Sequence, residues 1–147
     1  MSNSSPLTET EIREFAEAWY RKLDVHEPLE NYRPLMTSDV QMVFPEATVT
    51  GFEGFTGWYE RVITIFFDEV HIVKETKVIS VNDDTVEVKV VVQWEASIWK
   101  PPAANSERIV LDAYQTWDVV RSLETGKPAI SKYVVDSFDY APGSATL

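Results

Sequence analysis

The stretch Val86-Glu-Val-Lys-Val-Val-Val-Gln-Trp-Glu-Ala-Ser-Ile-Trp99 decides the fold class. Val86, Val88, Val90, Val92, Trp94, Ala96 and Ile98 alternate with Glu87, Lys89, Gln93 and Glu95. A period of two places the two sets on opposite sides of an extended chain, so this is a strand with one buried face. Its length, well beyond the usual ~5–6 residues, calls for strong curvature or a bulge. Working outward, Asn82-Asp-Asp-Thr85 is a turn signal, and Val70–Val81 before it reads as a second strand. On the other side Lys100–Ser106 is a loop, and Ile109, Leu111, Ala113, Gln115, Trp117 and Val119 form the inward row of a third strand. Glu124-Thr-Gly-Lys-Pro128 then turns the chain into a last strand, about Ala129–Tyr140. Short turns join only antiparallel neighbours.

The first half has a different period. Thr8-Glu-Thr-Glu11 is a capping box, and Ile12, Phe15, Ala16, Trp19 and Leu23 recur as one stripe of an amphipathic helix. A short second helix is expected from about Pro28 to Leu35, kinked or ended by Pro34. Ser38–Pro45 reads as a strand. The glycines of Gly51–Gly57 suggest a turn, followed by a third helix to about Phe67 with Phe55, Trp58, Tyr59, Val62 and Phe66 on one face. Helices gathered at one end of the sequence must cover one face of the sheet. The expected class is α+β: a cone-shaped, curved antiparallel sheet wrapped over three helices of the N-terminal half, a half-barrel in one domain (residues 1–147, core about 8–140).

Composition narrows the function. The 147 residues are 44% hydrophobic and 12% aromatic, a globular balance with enough apolar surface for a core. There is no Cys, which excludes disulfides, thiolate catalysis and Cys-ligated zinc. Thirteen basic against 24 acidic residues give a net charge of −11, which repels phosphate backbones and anionic lipids. Nucleic-acid and membrane partners are therefore not expected. The polar start, Met1–Pro6, has neither a basic nor an apolar leader region, so a soluble cytoplasmic protein is the simplest expectation. No metal site is expected, because the two histidines have no local ligand spacing, and no glycine-rich loop matches a nucleotide cradle.

The layout resembles the nuclear-transport-factor-2-like superfamily, in particular its SnoaL-like branch. The resemblance rests on Trp19-Tyr20 with Leu23, Leu35-Met-Thr-Ser-Asp39-Val40 leading to Pro45, and Gly51-Phe-Glu-Gly54. Phe66-Phe67 and Gly126-Lys-Pro-Ala-Ile130 complete it. The superfamily holds isomerases, dehydratases, cyclases, epoxide hydrolases and proteins without catalysis, so the resemblance implies a fold more than a chemistry. By position, His71 is similar to a catalytic His of the scytalone-dehydratase branch, an acid or base acting on a cyclic hydroxy-ketone. Asp24 falls near an Asp of that branch that holds an imidazole in one tautomer. The second His of that branch has no counterpart in Val86–Trp99, so His26 would have to substitute from the helix side. The steroid-isomerase pattern fits worse, since its Asp before a Pro is matched here by Phe44-Pro45, with Glu46 one residue off.

His71 suits acid–base work because an imidazole titrates near neutral pH; a packed or exposed strand His is the plain alternative, as a helix cap is for Asp24 and a solvated loop residue for His26. Tyr20, Tyr32, Phe44, Trp58, Phe66, Trp94, Trp117 and Tyr133 are candidate cavity-lining side chains, or else an ordinary bulky core. Gln115 stands alone in an apolar row, where an unpaired amide costs roughly 1–3 kcal/mol. It must pair with a neighbour such as a Trp indole, or face a wet pocket. Tyr133 and Asp136 point to opposite faces, and alternation does not say which enters. Three readings follow: an enzyme doing cofactor-free acid–base chemistry on a small cyclic or aromatic metabolite, a binding module for a small hydrophobic ligand, or a dimeric interaction domain with a filled core. His71 and Gln115 sharing a cavity would separate the first two from the third. A homodimer is expected because Val91 and Trp99, on the other face of the long strand, are costly to leave wet.

Overall fold

The computed structural model describes residues 6–147, so the polar start at residues 1–5 lies outside the described residues. Helix α1 spans Glu9–Asp24, and its capping box is formed: Thr8 Oγ1 accepts from the Glu11 amide at 3.1 Å, and Glu11 accepts from the Thr8 amide at 3.2 Å. Ile12, Phe15, Ala16, Trp19, Tyr20 and Leu23 are its buried stripe. The second helical segment is two single 3-10 turns, Leu29–Asn31 and Arg33–Leu35, with Pro34 preventing their continuation as an α-helix. Strand β1 is Met36–Val43 and a short β2, Thr48–Thr50, pairs back on it.

Helix α2 is Gly51–Ile65, so the glycine cluster expected to form a turn lies inside the helix. The turn has already been made between β1 and β2, where the Phe44 amide bonds the Ala47 carbonyl at 2.8 Å. Gly54 lets α2 lie against β2: a Cβ there would stand 3.0 Å from Val49 Cβ. Phe66 opens a strand and does not end the helix.

Four long strands follow: β3 Phe66–Asn82, β4 Thr85–Ile98, β5 Glu107–Arg121 and β6 Pro128–Tyr140. The sheet order is β2-β1-β6-β5-β4-β3. All neighbours are antiparallel except β1 and β6, which run parallel and make the sheet mixed. Parallel pairing is possible there because residues 44–127 separate the two strands. The central β4–β5 ladder keeps an unbroken register from Thr85↔Val120 to Ile98↔Glu107. Curvature comes instead from the strands beside it. Register shifts lie between Phe67 and Val70, Val73 and Glu75, and Val78 and Ser80 in β3, and opposite Tyr114/Gln115 and Asp118/Val119 in β6. Each inserts an unmatched residue, which bends the strand around the helices.

The concave face is the core. The inward row of β5 is buried throughout, as are Val86, Val88, Val90, Val92 and Ala96 of β4. Val91, expected to be exposed on the outward face, is only 7% exposed opposite Tyr114, whereas Trp99 is 50% exposed. Among the described residues no helix is long and apolar enough to cross a membrane.

Glu11 also bonds Arg121 at 3.0 and 3.1 Å, and that guanidinium, with the Thr8 amide, holds its carboxyl below the usual range. A lowered pKa stabilises the fold above the unfolded value and is lost as pH falls through the folded one. Thr8→Ala is expected to cost about 1 kcal/mol in urea unfolding at neutral pH. Glu11→Gln should flatten the loss of stability on acidification in the same assay.

Candidate functional site

Asp24 ends α1 and reaches β3 with both carboxylate oxygens. Oδ2 accepts from the His71 amide at 3.1 Å, and Oδ1 lies 2.5 Å from His71 Nδ1. The His71 side chain is 8% exposed. Its ring stacks on Tyr20 with centroids 4.7 Å apart, and more loosely on Trp94 at 6.2 Å. With Nδ1 held by the carboxylate, Nε2 is the nitrogen left for chemistry. Nε2 has no hydrogen-bond partner among the described residues.

Two residues earlier on β3, Glu69 also faces inward, its side chain only 3% exposed. It accepts from the Trp94 indole at 3.1 Å through Oε1, and Oε2 lies 2.6 Å from His26 Nε2. His26 follows α1 with a left-handed backbone (φ 52°) that turns its ring back toward β3. His26 therefore pairs with Glu69 and makes no hydrogen bond to His71. Sequence reading missed Glu69. Its signal was present in Glu69-Val-His71, a carboxylate two residues from a candidate base, but Glu is common on outward strand faces.

A third polar group closes the inner end. Gln115 Nε2 donates to the Tyr20 hydroxyl at 2.8 Å, Trp117 Nε1 donates to Gln115 Oε1 at 3.1 Å, and the Tyr20 and Tyr133 hydroxyls lie 2.9 Å apart. Tyr133 is the inward residue of β6, while Asp136 is outward and accepts from Thr116. Burial raises the Tyr20 phenol well above its ordinary value, and carries Tyr133 to about 12. Tyr32 and Tyr59, bonded to each other at 3.1 Å, are raised by burial too.

Between these groups lies a cavity of about 120 Å³. His71 and Gln115 both line it, with Glu69, Tyr20, Tyr133 and Trp94. Phe44, stacked on Trp58 at 4.4 Å, and Phe66, edge-on to Trp94 at 5.0 Å, add apolar wall. Tyr32 and Trp117 are fully buried behind the wall and do not line it; nor do Asp24 and His26, which stand behind His71 and Glu69. Ile63 and Leu147 line it without having been singled out in the sequence, and so do Glu46, read there only as one residue off the isomerase pattern, and Val62, read only as part of a helix face.

No family profile matches the chain, and no curated protein matches it in sequence. Solved structures do match in shape. A candidate aromatic-ring hydroxylase from Novosphingobium aromaticivorans superposes with a TM-score of 0.76 at 12% identity, over 90% of this chain and 92% of that one. A hexachlorocyclohexane dehydrochlorinase, LinA-type3 from Novosphingobium barchaimii, gives 0.72 at 17% over 94% and 92%. A candidate scytalone dehydratase from N. aromaticivorans gives 0.69 at 16% over 93% and 94%. The chain has the nuclear-transport-factor-2-like fold. In this instance of the fold, the cone's inner end is sealed by hydroxyl and amide groups that satisfy one another, and its wall carries two separate carboxylate–imidazole pairs.

A tyrosine whose folded pKa is raised lends stability that is intact below its unfolded value, about 10, and is lost as pH climbs toward the folded one. Phenolate absorbance from Tyr20, Tyr32, Tyr59 and Tyr133 should therefore appear only with cooperative unfolding, followed by circular dichroism above pH ~10. Six phenolates forming while the fold stays intact would contradict the buried hydroxyl cluster.

Proposed function

We propose that this protein is a cofactor-free acid–base enzyme that removes a proton from carbon in a small cyclic or aromatic metabolite. The observation that carries the reading is the Asp24–His71 pair, whose unbonded Nε2 belongs to a residue lining an apolar cavity. Asp24 keeps the proton on Nδ1, leaving Nε2 as the acceptor, and then stabilises the imidazolium that forms. Tyr20 fixes the ring plane by stacking. Oxygen on the substrate meets donors in Tyr20, Tyr133 and Gln115, which would stabilise an enolate as it develops. The shape-matched dehydrochlorinase and dehydratase carry names of elimination reactions, which is the same elementary step.

Size limits the substrate. An apolar cavity of about 150 Å³ accommodates benzene, so one ring fits this one with small adjustment of its wall. Phenols and cyclic ketones of a single ring are the expected occupants, and their binding should raise the melting temperature by mass action. Cyclohexanone in heavy water is a direct probe of the base. Exchange of its α-protons, followed by NMR, should fall by about 10²-fold or more in His71→Ala and in Asp24→Asn. Binding without His71-dependent exchange would instead make the protein a ligand-binding module.

We also propose that the outward face pairs with a second copy. Val70 and Ile72 of β3 are 40% and 48% exposed, and Trp99, just past the end of β4, is 50% exposed. Light scattering should give twice the 16.8 kDa chain mass, and Ile72→Glu should return it to one chain.

A further inference from the structure

The face on which His71 lies depends on one bulge, and a side chain two strands away reaches it. Phe67 pairs with Ser97 and Val70 with Glu95, so Asp68 and Glu69 together stand opposite Ala96. Without the extra residue, the register from Phe67 would bring His71 opposite Gln93, on the outward face. With it, His71 stands opposite Trp94, whose ring lines the cavity. The bulge is costly in two ways. Asp68 takes a left-handed backbone (φ 51°), which a residue with a Cβ disfavours. The ladder to β4 is also interrupted there, and a carbonyl taken out of a ladder needs another donor.

Arg108 is that donor. From the outward row of β5 it reaches across β4, and its Nη1 donates to the Asp68 carbonyl at 2.6 Å. The same nitrogen donates to Ser97 Oγ at 3.0 Å, and Nη2 lies 3.5 Å from Glu95 Oε1. Ser97 and Glu95 are the two β4 residues that flank the bulge. One guanidinium therefore ties the bulged strand to both ends of the β4 segment it faces. A planar fork of fixed donors suits that task better than a single ammonium. Ser97 is only 9% exposed although it belongs to the outward row.

We infer that Arg108 is a positioning residue for the site: it locks the bulge at Asp68 and so keeps His71 turned into the cavity and seated on Asp24. Arg108 does not line the cavity and acts only through the backbone of β3. Asp24 holds His71 from the helix side, and Arg108 holds the strand three residues earlier from the sheet side. Any effect on catalysis rests on His71 being the base, as proposed above, whereas the effect on the position of His71 does not.

Hydrogen exchange and NMR of the full chain test this in Arg108→Met, which keeps an apolar stem and loses every donor. The His71 amide, bonded to Asp24, should lose about tenfold or more of its protection, the scale of one charge-assisted bond. The signal of the Nδ1 proton facing Asp24 should weaken with it. Amides of the β4–β5 ladder should stay within about threefold of wild type, because the opening is local. Glu95→Gln leaves the Asp68 bond in place and should match wild type. Asp68→Gly added to Arg108→Met should restore both His71 readouts, since glycine takes the left-handed backbone without penalty. A residue that merely stabilised the outer face would not be rescued in that way. In the cyclohexanone assay, Arg108→Met should lower the saturated exchange rate by about tenfold or more with KM little changed, because slight misplacement of a base is costly. Should Arg108→Met fail to fold, Arg108→Lys carries the same comparison, with smaller losses and the same rescue. Unchanged His71 protection and Nδ1 signal would overturn the inference. So would an equal loss of protection across the β4–β5 ladder, or failure of Asp68→Gly to restore them. Loss confined to β3, with no cyclohexanone exchange by the wild type, would support the lock and remove His71 as base.

Discussion

The carboxylate of Asp24, bonded to both the amide and the ring of His71, is the interaction on which the rest of the structure depends. β3 is an edge strand, and its outer amides have no strand to pair with. Helix α1 covers that edge. At its other end Glu9 accepts from the Val78 amide at 3.3 Å. The two carboxylates are separated by about 22 Å of helix, and the two amides by about 23 Å of strand, so one straight helix spans both contacts. The same bond that closes the edge also fixes the tautomer of the imidazole. Structural and chemical roles meet in one side chain because Asp24 reaches both the amide and the ring of His71.

A curved sheet over helices leaves space where the cone widens, and side chains decide whether it fills. Here the narrow end is filled by Trp19, Tyr32, Phe55 and Trp117, all essentially inaccessible. Toward the mouth the wall residues are flat rings stacked on one another, Phe44 on Trp58 and Tyr20 on His71. Stacked rings satisfy their own faces and project little into the space between them. The polar side-chain atoms of Tyr20, Tyr133, Gln115 and Trp117 are bonded among themselves, so an empty or apolar-filled cavity leaves none of these four side chains unpaired. That is why Gln115, expected either to pair with an indole or to face a pocket, does both.

Much of the architecture was legible because burial imposes a period. The α1 stripe, the alternation of β4 and the inward row of β5 appear in the structure as read, since each element is long enough for its period to dominate. The segment around Leu29–Leu35 and the glycines at Gly51–Gly57 were harder. There the competing signals were Pro34, which limits any helix, and glycines whose purpose is close packing of α2 on β2. The parallel β1–β6 pair has no local signal, because strand neighbours far apart in sequence are chosen by the closure of the sheet.

The sequence by itself determined the α+β class, the strand that carries His71, and the residue types available for acid–base work. Which of them face the cavity was decided only by tertiary structure. Phe66 and His71 both point inward although strict alternation over five residues would place them on opposite faces. The irregularity at Asp68, whose backbone is left-handed (φ 51°), inserts one unmatched residue against β4 and reverses the alternation after it. That single insertion turns Glu69 and His71 toward the cone and leaves Val70 and Ile72 outside. A bulge is a response of a long strand to the curvature of its neighbours, so its position is set by the whole sheet and not by the residues that carry it.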